Sequence, residues 1–289
     1  INGQTDVASI SKGAGNGTTT IQSVSAAMQA NGFGLNGSSF GDTFNITVAD
    51  DGWMYLRGGR GNDTYNLGAS VGSFMRLSFD RDNYGNAATQ GVVLDLSTGV
   101  VANDGFGGQD SITGMDNIPV EVRATNLADR LTGSAHDDWF ISQGGNDTVD
   151  GGDGFDTLRY NRSDITSGIK VDIAAGTVLG NWNNVGFLDT ISNIEEIRAT
   201  DFADQLVGDI AANNVLRGYD GDDGIFADGF YANYAPTIAN QVYRLYEATL
   251  GRAPDVGGHS DWTLRIASGE LELVDAARGF VRSQEFQNS

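Results

Sequence analysis

The chain is poor in the residues that usually cross-link an exported fold or carry positive charge. Its 289 residues include no cysteine, three prolines and only two lysines. The absence of cysteine excludes a disulfide framework, a thiolate metal site and thiol chemistry. Asp and Glu number 38 against 17 Lys and Arg, which gives a net charge of −21. This acidity argues against nucleic-acid binding, which requires basic patches, and suits bound divalent cations.

The chain also lacks a membrane-spanning apolar run and a signal peptide before Ile1. Because it does not begin with methionine, we expect a fragment or a processed chain, which leaves an upstream signal or domain open. A chain without disulfides needs another source of stability, such as a bound divalent cation.

The most informative pattern that is present is a nine-residue repeat. Residues 124–159 divide into ATNLADRLT, GSAHDDWFI, SQGGNDTVD and GGDGFDTLR. Each block has an aspartate at its sixth place and a bulky apolar residue at its eighth. The aspartates are Asp129, Asp138, Asp147 and Asp156, and the apolar residues are Leu131, Phe140, Val149 and Leu158. GGRGNDTYN at 58–66 and GYDGDDGIF at 218–226 follow the same rule, G-G-x-G-x-D-x-U-x. It predicts a β-solenoid with calcium-binding turns.

The spacing of the repeat gives a physical reason for a metal. Two blocks make one turn of the solenoid, so Asp129 is expected to stack on Asp147, and Asp138 on Asp156. Neighbouring strands lie about 4.8 Å apart. At roughly 5 Å, two carboxylates repel each other by about 3 kcal/mol at an effective dielectric of about 20. Ca²⁺ removes this cost because it binds several carboxylate and backbone carbonyl oxygens at once.

The individual turns differ in quality. Turns 58–63, 151–156 and 218–223 are expected to bind calcium, whereas 124–129 and 133–138 lack the glycines and contribute one carboxylate or none. Asn214 replaces the aspartate in another copy. We expect several calcium ions, with Asp63, Asp147, Asp156 and Asp223 as the charged ligands and glycine turns supplying carbonyls. The full set of predicted metal-site residues is Gly58, Arg60, Gly61, Asp63, Asp129, Asp138, Gly144, Gly145, Asp147, Gly151, Asp153, Gly154, Asp156, Asp204, Gly218, Asp220, Gly221 and Asp223.

A second, longer repeat has an offset of 75 residues between Arg123 and Arg198. GVVLDLSTGVV at 91–101 matches GIKVDIAAGTV at 168–178, and the alternating apolar residues predict strands with one buried face. We interpret these segments as wider, metal-free coils between the calcium-binding coils. The two arginines occupy equivalent positions, which predicts a structural role and pairing with a neighbouring carboxylate.

The pattern changes near residue 231. Helical spacing and the stops at Gly251, Pro254 and Gly269 predict three short helices. In the third, Leu271, Val274, Ala277 and Phe280 are expected to face inward. The predicted organisation is an N-terminal segment or solenoid cap at 1–36 with a possible short helix at 20–30, a β-solenoid at 37–230, and a helical domain at 231–289. The fold class is therefore mostly β, a parallel β-roll or β-solenoid followed by a small α-helical domain.

These residues resemble the hemolysin-type (RTX) calcium-binding repeat proteins of Gram-negative bacteria, over roughly 37–230. The stretch VYRLYEATLGRAPDVGGHSDW resembles a small helical domain of unknown function found at the ends of secreted bacterial repeat proteins. The resemblance implies type I secretion of an unfolded chain and folding outside the cell, where calcium is abundant.

Catalytic chemistry finds little support in the sequence. The zinc-protease motif H-E-x-x-H is absent, and neither His136 nor His259 has the flanking pattern of a catalytic triad. Paired aspartates could mimic a glycosidase, but metal binding explains them first. A solenoid lyase would need clustered cations, which a chain with so little arginine is not expected to offer. Three tryptophans could stack on sugars, although packing is the simpler reading: Trp53, Trp139 and Trp182.

We therefore predict a non-enzymatic, extracellular calcium-binding structural module of a surface layer, adhesin or matrix. Its partners would be calcium, itself, another cell-surface protein or a polysaccharide, and neither nucleic acid nor a membrane. The alternative is a secretion or polysaccharide-binding carrier module of a larger secreted enzyme of protease, lipase or alginate epimerase type. A third interpretation is a solenoid enzyme acting on polysaccharide.

Overall fold

The structure is a computed structural model. It describes residues 8–11, 17–21, 33–47, 53–68, 74–82, 84–115, 119–209, 211–226, 241–242, 245–246, 250, 256–268 and 270–282. By contacts, the chain divides into two compact units. The first comprises Ile1–Leu206 and Ala211–Ile225, and the second comprises Val207–Ile210 and Phe226–Ser289.

Two sheets build the first unit. The larger sheet has 14 described strands. In chain order these are β1 (Ala8–Ser11), β2 (Gly17–Ile21), β4 (Asp42–Thr47), β6 (Thr64–Gly68), β8 (Val93–Asp95), β9 (Val100–Asn103), β10 (Asp110–Thr113), β12 (Arg130–Thr132), β14 (Thr148–Asp150), β16 (Lys170–Asp172), β17 (Thr177–Trp182), β18 (Val185–Ser192), β20 (Gln205–Val207) and β22 (Gly224–Phe226).

The smaller sheet has eight described strands. They are β3 (Phe33–Asn36), β5 (Trp53–Arg57), β7 (Phe74–Ser78), β11 (Val120–Arg123), β13 (Trp139–Ile141), β15 (Thr157–Arg159), β19 (Glu196–Arg198) and β21 (Val215–Arg217). All pairings within it are parallel. The chain alternates between the two sheets, so the fold is the parallel β-roll that the nine-residue repeat predicts.

The core is the space between the sheets, and the eighth residue of each nine fills it. Leu131 and Val149 are paired in the larger sheet, and Phe140 and Leu158 in the smaller one. All four side chains are buried. Each block thus places one apolar side chain in a shared core, which a single block could not bury alone. The stacking of Asp129 on Asp147 and of Asp138 on Asp156 follows from the same register.

The longer repeat departs from its expected form. We predicted wider coils for 91–101 and 168–178, but these segments form antiparallel hairpins in the larger sheet. β8 pairs with β9, and β16 pairs with β17, in antiparallel register. Residues 96–99 and 173–176 make tight turns in which Gly99 and Gly176 adopt positive φ. Alternating apolar residues give the same period in a hairpin as in a coil, so the pattern could not distinguish them.

The second unit contains the helices α1 (Val256–Ala267) and α2 (Leu273–Val281), and residues 241–242, 245–246 and 250 are also helical. Its core includes Tyr246 and Phe280, whose rings meet edge to face at 4.5 Å. The expected inward position of Val274 is wrong, because Ala276 is buried and Val274 is 47% exposed. The possible helix at 20–30 falls mostly outside the described residues. Among the described residues, no helix is long and apolar enough to cross a membrane.

Candidate calcium sites

Carboxylates form columns that run across the strands of each sheet, mostly at the N-terminal ends of the strands. The backbone N–H of Asp129 donates to Oδ1 of Asp147 at 2.8 Å, and that of Asp138 donates to Oδ1 of Asp156 at 2.7 Å. Each aspartate thus binds the backbone of the residue stacked on it. We call these columns the aspartate ladders.

The ladder of the larger sheet has three groups, separated by the two hairpins. The smaller sheet carries one group. In the larger sheet the groups are Asp42, Asp63 and Asp110; Asp129, Asp147 and Asp189; and Asp204 with Asp223; in the smaller sheet the group is Asp138, Asp156 and Glu195.

Five turns at these strand ends share one backbone form, with positive φ at two residues separated by one. In turn 58–63 these are Gly59 at 93° and Gly61 at 115°. We call the five the left-handed turns: 58–63, 104–110, 142–147, 151–156 and 218–223. The other four pairs are Gly105 and Gly107, Gln143 and Gly145, Gly152 and Gly154, and Tyr219 and Gly221.

In the three left-handed turns that begin with glycine, this glycine makes room for the aspartate that ends the turn. A Cβ on Gly58 would lie 2.0 Å from Oδ2 of Asp63, and a Cβ on Gly218 would lie 2.0 Å from Oδ2 of Asp223. No side chain fits at these distances. The carboxylate therefore folds back into its own turn, towards the backbone that surrounds it.

This inward oxygen is buried without a hydrogen-bond donor among the described residues in three of the left-handed turns, and in turn 104–110 the aspartate that opens the turn, Asp104, has such an oxygen. Oδ2 of Asp63, Asp104, Asp147 and Asp156 has no hydrogen-bond partner among the described residues. A buried carboxylate oxygen without a partner costs several kcal/mol unless a cation or a proton binds it. Calcium fits this donor set, because it takes carboxylate and carbonyl oxygens in flexible numbers.

Four other turns end in an aspartate but hold it differently. Their second residue is Ser or Thr, so we call them the hydroxyl turns: 37–42, 124–129, 133–138 and 199–204. In turn 124–129 the Thr125 hydroxyl donates to Oδ1 of Asp129 at 2.8 Å, and the Thr125 N–H donates to Oδ2 at 2.9 Å. Thr200 binds Asp204 in the same way. In these two turns the protein itself donates hydrogen bonds to both carboxylate oxygens, whereas four of the left-handed turns leave one oxygen without a donor among the described residues.

Turn 133–138 is intermediate between the two classes. The Ser134 N–H donates to Oδ2 of Asp138 at 2.7 Å. Its Oδ1 is buried without a partner among the described residues. Asp138 therefore retains one oxygen that a metal can bind.

Burial raises the pKa of several ladder carboxyls. Removal from water is the largest cause at Asp63, whose pKa rises to about 7, followed in smaller measure by repulsion from neighbouring aspartates. The same main cause raises the pKa of Asp110 to about 8 and that of Asp156 to about 8. For the buried neighbours Asp147 and Asp189, burial raises the pKa of both, and the charge of Asp189 raises that of Asp147 further. Without a cation, these ladders resist ionisation near neutral pH.

The structure groups most of the predicted site residues in the left-handed turns, where their role as ligands stays a prediction. Asp153 and Asp220, at the third place, are exposed. Arg60, also third, pairs through its side chain with Asp82 at 3.1 Å, so only its carbonyl is available to a metal. Gly144 lies against Trp182. Asp129 and Asp204 lie in hydroxyl turns.

Four ladder carboxylates, and Asp104 of turn 104–110, were not among the predicted ligands. Asp110 and Asp189 lie 47 and 42 residues after the partners that donate to them, beyond the hairpins. The nine-residue spacing does not identify these two aspartates, because a hairpin is inserted in the sequence before each of them. Turn 104–110 was also missed, although its D-G-F-G residues place Gly105 and Gly107 at the required spacing. The other three missed carboxylates are Asp42, Asp104 and Glu195.

No group of three or more His, Asp or Glu side chains converges on a metal position in the described parts of the chain. A site made of one or two carboxylates and several turn carbonyls does not need such a group. Four of the five left-handed turns meet this simpler requirement, since each of the four buries one carboxylate oxygen that has no donor among the described residues. The residues of these turns therefore fit a calcium ion.

Comparison with known proteins agrees with this geometry. The model of the RTX calcium-binding nonapeptide repeat (4 copies) matches residues 55–70 and 123–158. The model of a domain of unknown function (DUF4214) matches residues 225–289. A search of the curated proteins finds no match to the chain.

Proposed function

We propose that this chain, which carries RTX calcium-binding repeats and a C-terminal DUF4214 domain, is an extracellular structural module that folds when calcium binds. RTX repeats bind calcium and typify secreted proteins. The finer role, a component of a surface layer, adhesin or matrix that is exported by type I secretion, is our proposal.

The observation that carries the proposal is the set of orphaned carboxylate oxygens in the left-handed turns. Four of these five turns bury an oxygen of Asp63, Asp104, Asp147 or Asp156 without a donor among the described residues. In a cytoplasm poor in calcium the fold would have to bury these charges uncompensated. Because calcium binds the folded ladder and not the unfolded chain, its binding free energy becomes folding free energy.

This coupling suits export as an unfolded chain. Metal-free repeats stay extended inside the cell because the aspartates of each ladder repel one another. Outside, the metal neutralises much of the net charge of −21 and the sheets form. The chain has no cysteine, so calcium performs the stabilising role that disulfides perform in other secreted domains.

We also propose that the role is not enzymatic. The carboxylates that could resemble a catalytic pair belong to the ladders, where each binds a backbone N–H. For example, Asp156 accepts from the N–H of Asp138, and its own N–H donates to Glu195. Groups held this way are positioned for a stationary cation.

Calcium-dependent assembly tests the structural role. The refolded chain is titrated with Ca²⁺ while light scattering follows its mass and electron microscopy its shape. Mg²⁺ at the same concentration is the control, since it demands octahedral geometry and retains its waters. We expect ordered association with Ca²⁺ alone. A calcium-folded chain that stays monomeric throughout would contradict the structural role and favour the carrier module.

A further inference from the structure

The outer face of the smaller sheet concentrates the positive charge of this acidic chain. Its arginines alternate along each strand with residues of the core, as Leu158 is buried between Thr157 and Arg159. Arg159, Arg198 and Arg217 stand in register on adjacent parallel strands. We call this surface the arginine face; its strand arginines are Arg57, Arg76, Arg123, Arg159, Arg198 and Arg217.

Two further arginines flank the face, and together the eight outnumber their partners. Three carboxylates pair with them within 4.0 Å, each held by two or three guanidinium groups. Asp80 binds Arg57, Arg81 and Arg123; Glu121 binds Arg76, Arg159 and Arg162; Glu196 binds Arg198 and Arg217. Counted over the described residues, the eight arginines exceed these three carboxylates by five charges, on a chain whose net charge is −21. Asp164 also lines the cavity beside Arg81 and Arg123.

We expected no cluster of cations from a chain with so few arginines, and this expectation is wrong. About half of the basic residues, eight of 17, lie on or beside one sheet face. The arginines are scattered in the sequence, and only the coil register brings them together. The prediction that Arg123 and Arg198 pair with carboxylates is confirmed, through Asp80 at 3.6 Å and Glu196 at 2.9 Å.

The guanidinium groups lie close to the sheet rather than extending into water. The Arg198 guanidinium carbon is 4.1 Å from the centroid of the Trp139 ring, and that of Arg159 is 5.3 Å from it. Stacking on an aromatic face restricts the guanidinium plane. The Arg159 and Arg198 side chains are only 15% and 22% exposed. A ligand would meet preorganised groups with little side-chain entropy left to lose.

Like charges crowd this surface. The pKa of Arg162 is lowered to about 10, first because the group is removed from water and then because Arg159 lies nearby. The Nε atoms of Arg57 and Arg162 are buried without a hydrogen-bond partner among the described residues. The carboxylates present are thus fewer than the arginines can bind, and further anionic oxygens would relieve the repulsion.

We propose that the arginine face binds a linear polysaccharide that carries uronate carboxylates. Guanidinium groups recognise carboxylates through paired hydrogen bonds, and the face already uses this chemistry on Asp80, Glu121 and Glu196. Arginines in register on parallel strands repeat about every 4.8 Å. A row with this repeat suits a polymer that presents a carboxylate at regular intervals along an extended chain.

Other polyanions suit the surface less well. A nucleic acid or an anionic bilayer carries dense charge and is repelled over long range by the excess of carboxylates, which bound calcium neutralises only in part. The arginines lie flat, with Arg57 and Arg76 only 14% and 17% exposed, so they cannot extend towards a membrane. A uronate polymer has lower charge density and can approach one face closely.

The inference uses calcium-dependent folding of the solenoid but concerns a different surface from the aspartate ladders. Circular dichroism at saturating calcium first establishes that the chain is folded. A chain that folds equally well without calcium would contradict the proposed function. A calcium-folded chain that does not bind the polymer would contradict this inference alone.

Short oligogalacturonates that stay in solution with calcium are the probe, measured by calorimetry with the calcium-loaded chain. The same oligomers with their carboxyls reduced to alcohols are the matched ligand control. We expect binding of the acidic oligomers and none of the reduced ones. Equal binding of both, or tighter binding of a single-stranded oligodeoxynucleotide or of anionic phospholipid vesicles, would overturn the proposal.

The variant R198Q/R217Q locates the site, and Arg130→Gln on the larger sheet is the matched control. Losing one charged hydrogen-bonding group costs about tenfold in affinity, so the double variant is expected to bind at least tenfold more weakly. Arg81→Gln, at a side chain that is 50% exposed, provides a second variant should the first fail to fold. R198K/R217K keeps the charge but loses the planar fork, and we expect it to weaken binding too. Wild-type affinity in R198Q/R217Q, or in R81Q where the double variant does not fold, would overturn the assignment.

Discussion

The backbone N–H of Asp147 donates a hydrogen bond of 3.0 Å to Oδ1 of Asp189, which lies 42 residues later. Between them the chain makes a complete coil and the hairpin of β16 and β17. The ladder thus continues across an insertion that breaks the sequence repeat. Both carboxyls are buried, and the second oxygen of Asp147 has no partner among the described residues. The ladder therefore needs a cation between Asp147 and Asp189, and the nine-residue repeat alone identifies only the first of these two carboxylates.

Replacing an aspartate of a left-handed turn should weaken calcium binding without changing the charge balance elsewhere. Asp156→Asn keeps the shape and the accepted N–H bond but removes the charge next to the orphaned oxygen. We expect the calcium concentration at half folding to rise at least about tenfold, since a charged ligand is lost. Circular dichroism during calcium titration measures it. Asp201→Asn, an exposed aspartate in a hydroxyl turn, should leave the midpoint unchanged; equal shifts in both would argue against the assignment of turns.

Removing the hydroxyl of Thr125 should destabilise the fold without removing a metal. In Thr125→Val, Asp129 loses the donor that now lies 2.8 Å from its Oδ1. The same oxygen keeps its hydrogen bond from the Val92 N–H at 2.6 Å, so the expected cost is that of one hydrogen bond to a charged group, about 1.5–3 kcal/mol. Urea unfolding of the calcium-loaded chain measures this loss, and calorimetry should show an unchanged number of ions. Thr148→Val, at an exposed strand position, is the control. A lower ion count in Thr125→Val would show that the hydroxyl turn binds calcium after all.

A side chain at the fourth place of a left-handed turn should destabilise the fold by more than the strain of a positive φ, because it also collides with the neighbouring coil. In Gly61→Ala the new Cβ would lie 2.4 Å from the backbone carbon of Phe40, in the neighbouring coil, and φ is 115°. Gly85→Ala places Cβ in open space at a φ of 86°. Left-handed backbone in a non-glycine residue costs about 1–2 kcal/mol. Gly85→Ala should cost about that much by thermal unfolding, and Gly61→Ala clearly more. Equal costs would mean that the neighbouring coils can separate at this turn.

The metal-free chain should be more stable in mild acid than at neutral pH. The pKa of Asp63 is raised to about 7 and those of Asp110 and Asp156 to about 8, whereas an unfolded aspartate titrates near 3.9. A carboxyl with a raised pKa in the fold contributes stability below its unfolded pKa and loses it as pH rises through the folded value. In EGTA we therefore expect β-sheet signal to decline as pH rises through about 7 to 8. A metal-free chain that folds better at pH 8 than at pH 5 would contradict the burial of these carboxyls.

Much of the roll was predictable because its cause is local. Every nine residues supply a turn, one inward side chain and one aspartate, and the register of Leu131 on Val149 follows from that count. The hairpins were not predictable, since alternation in GIKVDIAAGTV is the same for a coil and for a hairpin. Asp110 and Asp189 were lost for the same reason.

The sequence showed that turns 124–129 and 133–138 lack glycines, and both are hydroxyl turns in the structure. The second residue of each turn, which separates the two classes of turn, was not used in the prediction. Thr125 and Thr200 donate to their aspartates, whereas Gln143 and Tyr219 adopt positive φ and do not. The arginine face lies beyond sequence reasoning of this kind, because Arg76 and Glu121 meet only through the pairing of β7 with β11.

Calcium dependence of the β-sheet tests the account most directly. The measurement is far-UV circular dichroism of the whole chain at pH 7.5, first with millimolar calcium and then with excess EGTA. We expect a β-sheet spectrum with calcium and its loss on chelation, since the orphaned oxygens of Asp63, Asp147 and Asp156 then have neither cation nor donor. Restored calcium should restore the spectrum. A β-sheet spectrum that persists unchanged in EGTA at this pH would contradict the account.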